Sequence, residues 1–198
     1  MARVYKFSTT RYFMKHKFRF YALKFCLLMI IVFILQQISG FTELFVLNGK
    51  ALYSHEYWRF LTAIFLHGSL VHLLYNLFAL ALFGSILEKF AGGKKFLLVF
   101  FLSGIFANIV AVNFYDSSLG ASGAIYGILG ALTILRPLMI VWAFGLPMPM
   151  FIAAILWTIG AVLGIFMPSN IGHIAHLSGI IIGVLAGIIL RVVRKGKS

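Results

Sequence analysis

The sequence predicts an all-α membrane protein, a bundle of six transmembrane helices in one domain. Of its 198 residues, 62% are hydrophobic and 11% are charged, whereas soluble domains carry about 25% charged residues. The mean hydropathy is +1.04, and the apolar residues form runs that are typical of membrane spans. A soluble domain of this length must present a polar exterior, so it could not bury this much apolar surface. Soluble enzymes, disordered chains and collagen-like fibres are therefore excluded.

Residues 1–19 form a basic segment with six lysines and arginines and no acidic residue. Transit peptides share that composition. A cytoplasmic flank is the favoured interpretation, because an apolar run follows directly. The predicted organisation is a basic cytoplasmic segment 1–19, a six-span domain 20–190 and a basic cytoplasmic tail 191–198.

Six apolar runs separated by polar turns are the predicted spans. They cover residues 20–38, 63–87, 96–112, 121–135, 150–166 and 173–190. The first connection is long and mixes aromatic, acidic and basic residues, so we expect it to be amphipathic and to lie at the membrane interface. Because the number of spans is even, both ends of the chain are expected on one side of the membrane.

The basic residues are distributed unevenly between the two sides that this topology defines. Fifteen of the 17 lysines and arginines fall on the side of the termini, and only Lys50 and Arg59 fall on the other side. The positive-inside rule then predicts that both termini are cytoplasmic. The net charge of +13 is thus interpreted as a topology signal and not as a sign of nucleic-acid binding.

The fourth predicted span is too short to cross a bilayer. Its 15 residues, 121–135, give a helix of roughly 22 Å, whereas the hydrocarbon core is about 30 Å thick. We therefore expect the preceding polar loop, 113–120, to dip below the outer surface. Non-helical backbone at that depth needs protein or water around it. This predicts an outward-open polar cavity with Gly120, Ser122 and Gly123 at its floor.

Two more polar clusters lie in the second and last spans. His72 and Asn76 are four residues apart and therefore share one helical face, whereas His67 is about 140° away from His72 on a helix and need not share it. His173 and His176 open the last span. Polar side chains inside a membrane are costly and are functional candidates by default.

The last span carries small residues at every fourth position. These are Gly179, Gly183 and Gly187, a spacing that allows two helix backbones to approach closely. The fourth span is the predicted partner, because it carries glycines at 123, 127 and 130. Close packing of these two helices is expected to bring His176 towards Ser122.

Taken together, these residues resemble the motifs of the rhomboid intramembrane serine proteases of the prokaryotic six-span type. The motifs are Gly120-Ala121-Ser122-Gly123 followed by Tyr126, His67 with His72 and Asn76, His176 with Gly179 and Gly183, and the pair Trp58-Arg59. The serine motif alone is weak. The four motifs in this order and on these spans are a strong signal.

The resemblance implies a catalytic pair, with Ser122 as the nucleophile and His176 as the general base. It implies that His72 and Asn76 stabilise the oxyanion together with the backbone N–H of Ser122, at the start of the fourth helix. We expect Tyr126, one turn below Ser122, to pack on the His176 ring. The four supporting glycines of the motifs are Gly120, Gly123, Gly179 and Gly183.

The resemblance also implies the partners and the location of the protein. It is expected to hydrolyse peptide bonds in or near the transmembrane segments of other membrane proteins, without a cofactor or metal. Its partners are then these protein substrates and the lipid bilayer, and not nucleic acid. A multi-pass protein of a prokaryotic cell membrane is the expected localisation.

Other functions are weighed against this one. The zinc motif His-Glu-x-x-His fails, because Arg59 stands where the second histidine is needed after His55-Glu56. An aspartyl protease needs two acids, and Asp116 is the only aspartate. A haem protein would need room between facing histidines, whereas a glycine stripe indicates closely packed helices. A transporter would commonly show internal repeats, and the sequence shows none. The remaining alternative is an inactive rhomboid-like chaperone or adaptor.

The pair Trp58-Arg59 has two interpretations that the sequence leaves open. It either anchors the first outer connection to the rest of the protein, or it serves as a plain interfacial anchor in the lipid headgroups.

Overall fold

The structure is a computed structural model that describes residues 18–167 and 171–195. Most of the predicted basic segment 1–19, the polar turn at 168–170 and the last three residues of the predicted tail lie outside the described residues.

The described chain is mostly helical. The α-helices are α1 Tyr21–Leu35, α2 Phe41–Phe45, α3 Lys50–Tyr53, α4 Arg59–Thr62, α5 Leu70–Ala79, α6 Ser85–Ala91, α7 Gly93–Ala111, α8 Ser122–Leu135, α9 Met150–Ile165 and α10 His173–Lys195. A 3-10 turn, Ala63–Phe65, follows α4, and a π-helical turn, Leu80–Gly84, joins α5 to α6. The four strands are β1 Leu47–Asn48, β2 Ser117–Ser118, β3 Ile140–Ala143 and β4 Leu146–Pro149.

Three helical segments are long and apolar enough to cross a membrane. These are Leu70–Ala91, Gly93–Ala111 and His173–Val193. Three shorter apolar helices, α1, α8 and α9, coincide with the first, fourth and fifth predicted spans. Each of the six predicted segments therefore contains an apolar helix, and six complete crossings remain a prediction.

The second span begins later than the sequence predicted. Residues 63–65 form a 3-10 turn and α5 starts only at Leu70, because Ser69 is extended and its hydroxyl accepts a hydrogen bond from the His72 N–H at 3.1 Å. A serine N-cap of this kind ends the non-helical linker and starts the helix. As a result, His67 lies in the linker, and His72 lies in the first helical turn instead of nine residues into the span.

The connection between α8 and α9 is a β-hairpin that the sequence analysis did not predict. β3 and β4 pair antiparallel, with Ile140 opposite Pro149 and Ala143 opposite Leu146. The two loop residues, Phe144 and Gly145, both have positive φ angles, as a tight two-residue hairpin turn requires. The proline-containing residues Leu146–Pro149 thus form the second strand of this hairpin.

Helix α8 is the centre of the bundle and packs closely on α10. Every residue of α8 is at least partly buried. A Cβ added at Gly183 would overlap the carbonyl oxygen of Gly127, and one added at Gly179 would overlap that of Gly123. The backbones therefore touch along this stripe, and the predicted pairing of the fourth and last helices is confirmed.

The first connection is built from four short elements. It contains α2, β1, α3 and α4. β1 pairs antiparallel with β2 of the loop before α8, with Leu47 opposite Ser118 and Asn48 opposite Ser117. This pairing ties the first connection to the loop that leads to Ser122.

Candidate active site

Ser122 and His176 meet at one end of the α8–α10 contact. Ser122 is the first residue of α8, and His176 lies in the first turn of α10. The Ser122 Oγ and the His176 Nε2 are 2.7 Å apart, a normal distance for a hydrogen bond. The two side chains come together because Gly123 and Gly179, each close to one of them in sequence, let the two backbones touch.

The His176 ring is held by packing. It is 8% exposed, and the Tyr126 ring stacks on it with centroids 4.3 Å apart and an interplanar angle of 9°. The His173 ring meets it edge-on at 5.9 Å. Among the described residues, the buried Nδ1 of His176 has no hydrogen-bond partner. No carboxylate therefore orients this ring in the described part of the chain, and its contacts are with the rings of Tyr126 and His173.

Backbone N–H groups at the start of α8 lie beside Ser122. The first hydrogen bond of the helix runs from the Ile125 N–H to the Ala121 carbonyl at 3.0 Å. The N–H groups of Ser122, Gly123 and Ala124 come before it, and no side chain caps this end of the helix. Uncapped N–H groups and the positive end of the helix dipole favour an anion at this position.

The His72 ring lies against the loop that leads into α8. A Cβ added at Gly120 would come within 2.7 Å of the His72 Cε1, and Gly120 has a φ of +118° that favours glycine. The Gly120 N–H donates to the Ala63 carbonyl at 2.8 Å. Glycine at 120 is therefore needed both for the backbone conformation and to leave room for the His72 ring.

Asn76 is buried one turn after His72, as the spacing predicts. Its side-chain amide donates to the His72 carbonyl at 2.8 Å, so this donor is directed back to its own helix. The amide carries a second hydrogen. Its predicted role as an oxyanion donor remains a prediction.

The described residues contain no group of three or more histidine, cysteine, aspartate or glutamate side chains that could hold a metal ion.

Comparison with known proteins identifies the family of this chain. A family model described as the Rhomboid domain matches residues 54–193. The chain belongs to the rhomboid family. The matched region includes Ser122 and His176 and excludes α1.

Several rhomboid proteins are similar to this chain. The Rhomboid protease GluP of Bacillus subtilis is 34% identical over 186 residues, which are 87% of this chain and 35% of GluP. The Putative rhomboid protease YdcA of the same organism is 38% identical over 136 residues, 66% of this chain and 65% of YdcA. RHOMBOID-like protein 6, mitochondrial, of Arabidopsis thaliana is 32% identical over 143 residues, 71% of this chain and 46% of that protein. The chain thus spans less than half the length of GluP and of RHOMBOID-like protein 6, and about two thirds of YdcA.

Gln36 is a residue of this rhomboid that the sequence analysis missed. Its Oε1 accepts from the His67 N–H at 2.9 Å, and its Nε2 donates to the His67 carbonyl at 3.2 Å. The His67 ring in turn meets the His72 ring edge-on, with centroids 5.1 Å apart. Gln36, at the end of α1, therefore fixes the linker from which His72 follows. The position of this glutamine at the end of an apolar run is the feature of the sequence that could have indicated a structural role.

Tyr115 is a second missed residue. Its hydroxyl accepts a hydrogen bond from the backbone N–H of Ile174 at 3.1 Å. Ile174 lies in the first turn of α10, two residues before His176. The loop before α8 therefore satisfies a free N–H at the start of the helix that carries the histidine.

Arg59 is a buried residue that connects separate parts of the first connection through its side chain. It is 2% exposed, it forms an ion pair with Glu56, and its Nη1 donates to the carbonyls of Glu43 and Val46 at 2.7 Å each. This contact supports the first of the two interpretations of the Trp58-Arg59 pair. Trp58 is 51% exposed and donates to the Leu44 carbonyl at 3.3 Å.

Replacing Arg59 with methionine should destabilise the protein by about 3 kcal/mol, because the change leaves Glu56 and two carbonyls without their partner. Thermal unfolding in detergent measures the loss. Lys50→Met is the matched control, since Lys50 is an exposed cation of the same connection. Equal melting temperatures for the two variants would contradict the anchoring role of Arg59.

Proposed function

We propose that this rhomboid is an intramembrane serine endopeptidase that cleaves peptide bonds in or near the transmembrane segments of other membrane proteins. The observation that carries the proposal is the 2.7 Å contact between the Ser122 Oγ and the His176 Nε2. The names of the bacterial relatives, which include Rhomboid protease GluP, support it. The plant relatives are named only as rhomboid-like, so the alternative of an inactive chaperone or adaptor is decided by the assay described below.

In the proposed mechanism the Ser122 Oγ attacks the carbonyl carbon of the scissile bond. The His176 Nε2 takes the hydroxyl proton and returns it to the leaving amine as the C–N bond breaks. Water then attacks the ester that joins Ser122 to the substrate, and the same nitrogen removes a proton from this water. As the ester C–O bond breaks, Nε2 returns the proton to the Ser122 Oγ and the acid product leaves. For Nε2 to accept that first proton, the neutral ring must carry its hydrogen on Nδ1. The stacked Tyr126 ring keeps the imidazole in the orientation in which Nε2 faces the Ser122 Oγ.

The oxyanion of the tetrahedral intermediate is placed at the start of α8. The N–H groups of Ser122 and Gly123 and the positive end of the helix dipole stabilise it. The His72 ring, beside Gly120, supplies a side-chain donor, and Asn76 is the second proposed side-chain donor. These groups are held in position before the substrate arrives, so little reorganisation is needed during the reaction.

Replacing His72 with alanine should lower kcat by about 10²-fold, the usual cost of removing one oxyanion donor. KM should change much less, because the charge develops only in the transition state. Steady-state cleavage kinetics measure both constants. His55→Ala is the control, since His55 is an exposed histidine in the first connection. A loss that appears in KM instead of kcat would argue for a substrate-binding role of His72.

Replacing Tyr126 with alanine should reduce kcat by about tenfold, since an aromatic stack contributes about 0.5–1.5 kcal/mol and the freed His176 ring loses its orientation. Tyr126→Phe keeps the stacked ring and should retain most of the parent activity. The comparison of kcat for the two variants is the measurement. If both variants lose activity equally, the hydroxyl of Tyr126 is the important group and not the ring.

The proposal includes the membrane topology. All six apolar helices are placed in the bilayer, with both termini in the cytoplasm of a prokaryotic cell and Ser122 at the floor of a water-filled cavity that opens outwards. The charge distribution supports this orientation. A short α8 of 14 residues supports a site below the outer surface.

The test is cleavage of a model single-span protein by the purified protein in proteoliposomes. We expect cleavage near the outer end of the substrate helix, and unchanged activity in the presence of a chelator. Activity that is lost with the chelator would support a metal enzyme. A folded protein that binds the substrate without cutting it would support the chaperone alternative.

A further inference from the structure

A groove between α8, α9 and α10 lies apart from the Ser122–His176 pair. It has a volume of about 270 Å³, and its walls include Thr133 of α8, Ala154 and Thr158 of α9, and Ile180 and Val184 of α10. The volume is slightly below the range of about 300–1,000 Å³ found for small-molecule sites. It therefore suits a slender ligand.

The groove offers hydrocarbon contacts only. Its two hydroxyl groups donate to their own helices, from the Thr133 Oγ1 to the Leu129 carbonyl at 2.8 Å and from the Thr158 Oγ1 to the Ala154 carbonyl at 2.7 Å. A peptide or a polar metabolite would leave its own polar groups unpaired there, at a cost of several kcal/mol. An alkyl chain has no such groups.

Arg191 lies at one end of the groove. It follows Val184 by seven residues and Ile180 by eleven, so it lies within about 20° of each of them on one face of α10. Its Nη1 donates to the carbonyl of Ile134 in the last turn of α8 at 3.3 Å, and the side chain is exposed. The guanidinium has five N–H donors, so it can bind an anion while keeping this bond.

The whole end of the bundle around Arg191 is basic. The Arg136 guanidinium lies 4.6 Å from the Phe90 ring centroid, which brings the end of α8 next to the end of α6. The basic residues at this end include Arg19, Lys24, Lys89, Lys94, Lys95, Arg136 and Arg191. The acid nearby, Glu88, is buried and accepts from the N–H groups of Arg19 and Ala22. The field at this end therefore favours an anionic headgroup over a zwitterionic one.

We propose that this groove is a binding site for an anionic phospholipid, with one acyl chain lying between α8, α9 and α10 and the phosphate on Arg191. The apolar walls continue into the exposed apolar surface of α9, where Ile155 is 51% and Ile159 49% exposed. A lipid of the surrounding bilayer therefore reaches the groove directly from the side. The proposed proteolytic mechanism uses none of the side chains that line this groove.

Native mass spectrometry of the purified full chain in detergent tests the site. Phosphatidylglycerol and phosphatidylcholine with the same acyl chains are the probes. We expect one phosphatidylglycerol molecule to be retained at collision energies that remove phosphatidylcholine. Arg191→Gln should reduce the retention of phosphatidylglycerol to that of phosphatidylcholine. Lys94→Gln is the control, because it removes the same charge from an exposed residue of the same end.

The acyl-chain part of the site is tested by filling the groove. Thr158→Phe should lower the retention of both lipids, and Ile155→Phe provides a second filling at a more exposed wall in case the first variant does not fold. Leu156→Phe, outside the groove on the same helix, should behave like the parent. Equal retention by the parent and both filled variants would overturn the proposal, and so would an unchanged lipid preference in Arg191→Gln. If the parent forms a dimer that the filled variants do not form, and lipid retention is unchanged, the groove binds a second copy of the chain. That result would also overturn the proposal.

Discussion

Replacing Ser122 with alanine should reduce cleavage of a single-span substrate to the rate of the protein-free control, while the fold is unchanged. In a soluble serine protease the loss of the nucleophile costs about 10⁶-fold in kcat. The structural cost is small, because the Ser122 hydroxyl contributes one hydrogen bond, to His176, worth about 1 kcal/mol. Cleavage in proteoliposomes and thermal unfolding in detergent separate the two effects.

Two comparisons make this result specific to the catalytic pair. Ser178→Ala is the matched serine control, because Ser178 is buried on α10 two residues after His176 but donates to the Ile174 carbonyl of its own helix. It should retain activity. His176→Ala should lose activity like Ser122→Ala, and His173→Ala should retain it. A parent-like rate for Ser122→Ala would refute the proposed nucleophile.

Replacing Gly183 with alanine should reduce cleavage, although Gly183 is not itself a proposed catalytic residue. The added Cβ would overlap the carbonyl oxygen of Gly127 on α8, and a backbone atom cannot rotate away as a side chain can. The two helices must therefore separate, at a cost of about 1–3 kcal/mol for overpacking. Because misplacing reacting groups by about 1 Å can cost 10²-fold in rate, we expect cleavage to fall by about that factor.

Gly160→Ala on α9 is the control for this change. A Cβ at Gly160 meets nothing within 4 Å, and alanine is favoured over glycine inside a helix by about 1 kcal/mol. This variant should be at least as stable as the parent and equally active. If Gly183→Ala melts at the parent temperature and cleaves at the parent rate, the α8–α10 contact does not position Ser122 and His176.

The features that the sequence predicted correctly are those that depend on local composition and helical spacing. The short α8 follows from the length of one apolar run. The glycines at 123, 127, 179 and 183 indicate a close contact between two helices, and that contact determines where Ser122 and His176 meet. The stacking of Tyr126 on His176 follows from the same spacing.

The features that were missed depend on specific hydrogen bonds, which hydropathy and helical spacing do not reveal. Residues 63–66 are apolar, so hydropathy predicts that they belong to the second span, and it does not detect the N-cap that Ser69 provides. Gln36 contacts the backbone of His67, 31 residues away in sequence, and no periodic pattern predicts such a pair. The hairpin at 140–149 escaped notice because its apolar residues resemble those of the neighbouring helices.

The central claim is that His176 activates Ser122 for nucleophilic attack. Covalent labelling by a serine-reactive fluorophosphonate, followed by mass spectrometry of the modified peptide, tests it without a substrate. The account predicts one adduct, on Ser122, which forms at the parent rate in His173→Ala, is absent in Ser122→Ala, and forms much more slowly in His176→Ala. Labelling of another residue, or an unchanged rate of labelling in His176→Ala, would contradict the account.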